Sequence, residues 1–331
     1  MKLVTGIIAA VFLASLTLAS LASDEADRFV RMGWSNTDFS KTTVPLSEVM
    51  SGGPPRDGIP PIDNPQFQPA SANKDLSAKD PVISIEINGD ARAYPLRILI
   101  WHEIVNDTVG GKPVAVTYCP LCNAAIVFDR MVDGEIKDFG TTGLLRNSDL
   151  IMYDRQSESW WQQFTGQAIA GSEVGSSLKF VAARLESWAD FTSRFPDGKV
   201  LVPNNPGFRN YGRNPYVGYD SAAAPFLYRG KMPEGISPMA RVVVYRINGK
   251  VNAIALSMLS KSEELMHGKV TIKWKGGQAS ALDTGEIAKG RDVGSITVQK
   301  KNASGNYEDI PYDVTFAFVV EAFEPGTVIQ K

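Results

Sequence analysis

Cysteine and histidine are nearly missing from this chain. Cys119 and Cys122 are the only thiols in 331 residues, and His102 and His267 the only imidazoles. So few cysteines exclude a disulfide-built scaffold, and a chain of this length can bury a core that folds without one. The 34 lysines and arginines are balanced by 36 acids and form no basic block. That excludes the concentrated cationic patch on which nucleic-acid binding depends. Past the N-terminus no apolar run is long enough to cross a bilayer. Also missing are G-x-S-x-G, the P-loop and the Rossmann fingerprint, which removes the commonest signatures of acyl transfer and nucleotide binding.

The N-terminus is apolar. Met1-Lys2 precedes a run from Leu3 to Leu18, then Ser20-Leu21-Ala22 supplies small residues before Ser23-Asp24-Glu25 turns polar. The pattern predicts a secretory signal peptide over 1–22 and a secreted or periplasmic protein with no membrane span after cleavage. The alternative is an uncleaved N-terminal anchor, because the run approaches the ~20 residues that span a bilayer. Cleavage would remove Lys2 and no acid, taking the formal charge from −2 to −3.

Residues 23–74 read as an extended arm, since "SGGPPRDGIPPIDNP" (51–65) is crowded with proline and glycine. From Pro81 the pattern becomes regular. "VISIEI" and "DARAYP" flank Asn88-Gly89, the pair that a type I′ hairpin turn favours. "LRILIWHEI" (96–104) predicts a short helix, and "KPVAVTY" and "AAIVFDR" predict strands on either side of the CPLC turn. "SWADFTSRF" (187–195) predicts a helix capped by Ser187, supported by Asp190 and stopped by Pro196-Asp197-Gly198. "NNPGFRNYGRNPYVGYD" (204–220) reads as a long surface loop.

An internal repeat appears at an offset of 160. "VISIEINGDARAYPLRIL" (82–99) set against "VVVYRINGKVNAIALSML" (242–259) gives identities at Val82/Val242, Ile87/Ile247, Asn88/Asn248, Gly89/Gly249, Ala93/Ala253, Leu96/Leu256 and Leu99/Leu259. These are the turn and apolar positions of a strand–turn–strand–helix unit. The fold class expected is therefore β-rich α+β. It is built of two related β-hairpin-plus-helix modules packed together: 75–230, with the CPLC motif and a long insertion that carries the 187–195 helix, and 231–331, a degenerate second copy. In the second copy Arg92, Tyr94 and Pro95 become Asn252, Ile254 and Ala255, Ser262 stands opposite His102, and no cysteine is present. Special chemistry is expected in the first copy alone.

Three readings of Cys119 and Cys122 stand together. As candidate catalytic thiols they would form a redox pair, since C-x-x-C spacing lowers a thiol pKa and short-ring disulfides are reducible. The following Ala124–Phe128 reads as strand, which removes the helix N-terminus that a thioredoxin-like site uses. As metal ligands they would bind Zn or Cu with His102 as a third donor, while His267 reads as surface. As a staple they would close a ring worth only about 2 kcal/mol. The partner implied is an unidentified small molecule or a redox protein.

Two polar clusters are further binding candidates. "LLRNSDLIMYDR" (144–155) gathers Arg146, Asn147, Asp149, Tyr153 and Arg155, and "ESWWQQF" (158–164) sets Trp160 and Trp161 beside glutamines. Aromatic faces with amides and a guanidinium suit a sugar or other polar small molecule. The alternative is a salt-bridged strand end over buried tryptophans. Glu103 and Asp149 are candidate paired acids, with a separation that the sequence does not define.

"GGPPRDGIPPIDNPQF", "ARAYPLRILIWHEIVNDTVGGKPVAVTYCPLCNAAIVFDR" and "LLRNSDLIMYDRQSESWWQQFTGQAIAG" together resemble the secreted and membrane-associated proteins catalogued as domain of unknown function 3179. The resemblance runs from about Gly52 to Val202 and continues more weakly to the C-terminus. It implies no established activity, substrate or cofactor. It does imply that the YCPLC, HEIVND and NSDL-MYDR stretches belong to one domain signature.

Overall fold

The structure is a computed structural model that describes residues 24–331; the expected signal segment lies outside the described residues. The protein is β-rich α+β, with short helices set between several small sheets. No helix among the described residues is long and apolar enough to cross a membrane.

The N-terminal region, expected as an extended arm, is woven into the fold. Residues 24–31 are helical (α1). Two short strands follow, β1 (Val49–Ser51) and β2 (Gln66–Pro69). The reason is apolar burial: Phe29 and Trp34 are buried against Trp160, Tyr153 and Ile169.

Next comes the hairpin β3 (Pro81–Ile87) and β4 (Asp90–Pro95), then α2 (Leu96–His102). Asn88 and Gly89 both take positive φ, as a type I′ turn requires. Helix α2 stops because Glu103 turns left-handed, at φ 59°, and its N–H closes on Leu99 O. A meander follows: β5 (Ile104–Val109), β6 (Lys112–Cys119) and β7 (Ala124–Asp129). After β7 come β8 (Met131–Val132), β9 (Glu135–Ile136), β10 (Phe139–Arg146), β11 (Asp149–Asp154), β12 (Trp160–Gln162) and β13 (Ala168–Ala170). The chain then returns through β14 (Lys179–Val181), β15 (Arg184–Ser187), α3 (Trp188–Arg194) and β16 (Lys199–Val202). Helix α3 begins as its sequence predicts, with the Ser187 side chain accepting from Asp190 N.

The C-terminal third runs β17 (Arg241–Ile247), β18 (Lys250–Ala255), α4 (Leu256–Ser262), β19 (Glu264–His267), β20 (Val270–Lys275), β21 (Ser295–Lys301), β22 (Tyr307–Asp309), β23 (Tyr312–Phe316), α5 (Ala317–Phe323) and β24 (Ile329–Gln330). Several of its pairings run in the same order as pairings in the first part. Val82↔Pro95 answers to Val242↔Ala255. Cys119↔Ala124 answers to Lys275↔Ser295, and Val114↔Asp129 to Val270↔Lys300. Asp129↔Lys179 answers to Lys300↔Glu308. Pro81↔Ser187 answers to Arg241↔Phe316. Even the parallel pairs correspond, Ala93↔Val200 with Ala253↔Ile329. Glu263 ends α4 as Glu103 ends α2, at φ 58°. The CPLC turn of the first part stands where the second has the long 276–294 connection.

The two parts clasp each other. β7 packs on β23, and β21 packs on β15. Ala125 N donates to Asp313 Oδ1, and Ser187 N to Ser295 Oγ. One core, containing Tyr118, Cys119, Cys122, Phe316 and Phe318, spans the contact.

Candidate metal centre

Two hairpin turns meet head to head. The first joins β6 to β7 through Pro120–Asn123. Asn123 closes it with φ 53°, and its N–H donates to Pro120 O. This turn is held from below by β23: Asn123 Nδ2 donates to Val314 O at 2.6 Å, and Thr315 Oγ1 to Cys122 O at 2.7 Å. The second joins β10 to β11 through Asn147 and Ser148, both left-handed at φ 51° and 67°. Ser148 O faces the two thiols, 3.9 Å from Cys119 Sγ and 3.6 Å from Cys122 Sγ. Asp149, the first residue of β11, follows at once.

Cys119, Cys122 and Asp149 each turn one ligand atom to a common point, and those atoms lie within 4.8 Å of one another. Both cysteines are free and buried. Asp149 Oδ2 accepts from Gln162 Nε2 at 2.7 Å and from Phe164 N at 2.9 Å. Its Oδ1 has no N–H or O–H donor, and the Cys119 and Cys122 thiols lie against the carboxylate and hold its pKa down in opposition to burial.

The electrostatics of the group are one-sided. Burial raises the Asp149 carboxyl to about 6. Burial, then the nearby Asp149 charge, raises Glu103 to about 8. Burial pushes both thiols up, and Cys119 pushes Cys122 further. No lysine or arginine is among the main influences on Glu103 or Asp149. Cys119, Cys122 and Asp149 are thus buried together, with Glu103 close enough to feel the Asp149 charge. Cys119, Cys122 and Asp149 fit a bound cation, since two sulfurs and a carboxylate oxygen are a zinc-type donor set.

His102 does not join this group. Its Nδ1 lies 2.7 Å from Pro60 O and its Nε2 2.8 Å from Tyr211 OH, so both ring nitrogens are engaged elsewhere. His267 Nδ1 meets Tyr245 OH in the C-terminal part. Of the polar clusters, only Asp149 reaches the thiols. Arg146 pairs with Glu48, Arg155 with Asp63, and Tyr153 donates to Asp57. Asn147 serves the turn through its backbone. Trp160 and Trp161 are fully buried, on opposite faces of β12, and line no cleft.

Two residues near the centre lay in the stretch read as surface loop. Tyr216 and Tyr219 fold back over the CPLC turn, where Tyr219 OH donates to Leu121 O at 3.1 Å. Burial raises both phenols, with Glu103 and Cys119 adding to Tyr216 and Cys122 to Tyr219. The signal available was the pair of tyrosines three apart in an otherwise polar stretch.

The family model described as "Protein of unknown function (DUF3179)" matches residues 56–327. The chain belongs to this family. Comparison with curated proteins and with solved structures returns no match. The DUF3179 match takes in both turns of the centre, the clasp strand β23 and helix α5, so the family's domain includes the C-terminal part as well as the stretches around the cysteines.

Proposed function

We propose that this DUF3179 member is an exported metal-binding protein in which Cys119, Cys122 and Asp149 hold a zinc ion, with Glu103 as the fourth donor. The observation that carries the reading is the buried cluster itself: the two thiols and the Asp149 carboxylate turn ligand atoms to within 4.8 Å of one another. Zinc rather than copper suits a shell of two sulfurs and two carboxylate oxygens. Ligands 2.0–2.3 Å from one ion lie about 3.3–3.8 Å apart, so the Cys119, Cys122 and Asp149 atoms, now within 4.8 Å of one another, would contract by up to about 1–1.5 Å. Bound there, the ion would neutralise thiolates and carboxylates that burial otherwise forces to keep their protons.

We infer further that the chain is two copies of one module, with the division near 230, and that only the first carries the centre. A glutamate ends the helix in both copies, so Glu103 by itself belongs to the turn. Its counterpart Glu263 is exposed, and burial beside Asp149 is what the first copy adds.

The thiol-redox reading keeps one supporting observation, the contact between the two thiols. Against exchange with a protein partner stand their complete burial and raised pKa values, since the thiolate is the reactive form. Metal analysis of the purified full chain separates the readings. Bound zinc near one per chain, lost in Asp149→Asn and in Cys119→Ala/Cys122→Ala, is expected. A metal-free protein whose mass drops by two hydrogens on mild oxidation, and recovers on reduction, would favour the redox reading.

A further inference from the structure

We infer that the cleft between helix α2 and the 203–211 segment is a binding site for a small organic anion, a carboxylate or a phosphate monoester with a polar body. It stands apart from the thiol centre and does not rest on the metal reading.

The cleft has a volume of about 460 Å³ and is lined by Arg97, Arg209, Gln68, Asn73, Asn210 and Tyr211, among others. Both guanidiniums lack an acid. Arg97 donates to main-chain oxygens, those of Asp75 and Tyr211. Arg209 reaches only Gly58 O, at a long 3.5 Å, and its Nε is buried without a partner. Neither has a carboxylate within ion-pair distance among the described residues. Elsewhere the chain spends its arginines differently. Arg92, Arg155 and Arg184 each carry an aspartate at 2.6–2.8 Å. The acid that lines the cleft, Asp75, is exposed at its rim, and Arg97 meets its carbonyl rather than its carboxylate.

Two forked, acid-free guanidiniums facing one cavity are the arrangement that recognises carboxylate and phosphate oxygens. The amides of Gln68, Asn73 and Asn210 offer donors and acceptors to hydroxyls on the same ligand. The wall is braced from behind. Tyr211 stacks on the His102 ring, and its hydroxyl meets His102 Nε2, while Nδ1 is held by Pro60 O. This gives His102 and the 204–220 stretch a shared role, as positioning elements of the cleft.

Isothermal titration calorimetry on the full chain at fixed ionic strength tests the proposal, with glucose 6-phosphate, gluconate and neutral glucose as probes. Saturable binding of at least one anion at one site per chain is expected, with glucose silent. Binding of glucose 6-phosphate alone marks the ligand as a phosphate, and of gluconate alone as a carboxylate; binding of both means that the charge alone is read. Arg97→Gln and Arg209→Gln should each weaken binding at least about tenfold, the loss of a charge-assisted hydrogen bond. The exposed Arg213→Gln should change nothing. The wild-type titration decides even if a variant misfolds: no saturation of either anion by about 10 mM overturns the proposal. Glucose binding as well as the anions, or folded Arg97 and Arg209 variants binding like wild type, would overturn it too.

Discussion

Asp313 offers a quantitative test of how the two parts hold together. It sits in β23, accepts from Ala125 N at 2.9 Å through Oδ1, and leaves Oδ2 buried without a partner. Burial raises its carboxyl to about 7 from 3.8. The folded state therefore holds a proton that the unfolded chain releases near pH 4. Stability from this group falls as pH rises from about 4 to 7 and is level above that. The shift of about 3 units corresponds to about 4 kcal/mol in all, of which about 3 kcal/mol is lost between pH 5 and 9. In Asp313→Asn the Oδ1 acceptor remains and the ionisation is gone. The variant should be within about 1–2 kcal/mol of wild type at pH 5, the margin covering its unpartnered amide, and should gain on it by about 3 kcal/mol at pH 9. At roughly 2–4 °C per kcal/mol for a chain of this size, the melting difference should move by about 6–12 °C. Thermal unfolding of both proteins at matched salt from pH 5 to 9 reads this directly. Parallel curves, with a difference constant to within about 0.5 kcal/mol, would refute the reasoning.

Cys119→Ala/Cys122→Ala should stay folded by circular dichroism. Each buried thiol behaves as a small apolar group worth about 1–2 kcal/mol, against the roughly 5–15 kcal/mol of a typical domain. Gly143→Ala should loosen the segment that folds over β10. At φ +73° an added Cβ would stand 2.1 Å from Pro54 O, so limited proteolysis should cut after Arg56 in the variant and spare the wild type. Arg92→Met should cost about 3 kcal/mol or more in denaturant unfolding. It strips the ion pair at 2.8 Å from Asp107, which is buried and already takes the Tyr94 hydroxyl.

What was legible in the sequence was local. Asn-Gly turns, the Ser187 cap and the apolar spacing of 82–99 and 242–259 each act within a few residues, so hairpins and helices could be read with near-correct ends. The long-range pairings were not legible. The parallel pairings of β16 with β4 and of β24 with β18 are set by partners distant along the chain. The tryptophans misled for a geometric reason. Successive strand residues face opposite ways, and β12 lies between two cores, so Trp160 enters the cluster around Phe29 and Trp34 while Trp161 enters the main core. A tandem Trp in a sheet with one wet face would have left one ring free for a ligand. Asp149 and the cysteines were each noticed, but their meeting depends on two turns facing across sheets. His102 is instead taken by Pro60 O and Tyr211 OH, partners 42 and 109 residues away that its local sequence does not announce.

The central claim is that the CPLC turn and the Asn-Ser turn together hold zinc. X-ray absorption spectroscopy of the full chain loaded with one equivalent of zinc tests it most directly. The account predicts two sulfur scatterers at about 2.3 Å and oxygen scatterers at about 2.0 Å, with the sulfur shell absent from Cys119→Ala/Cys122→Ala. A zinc shell without sulfur, or a chain that retains no zinc through gel filtration, would contradict it.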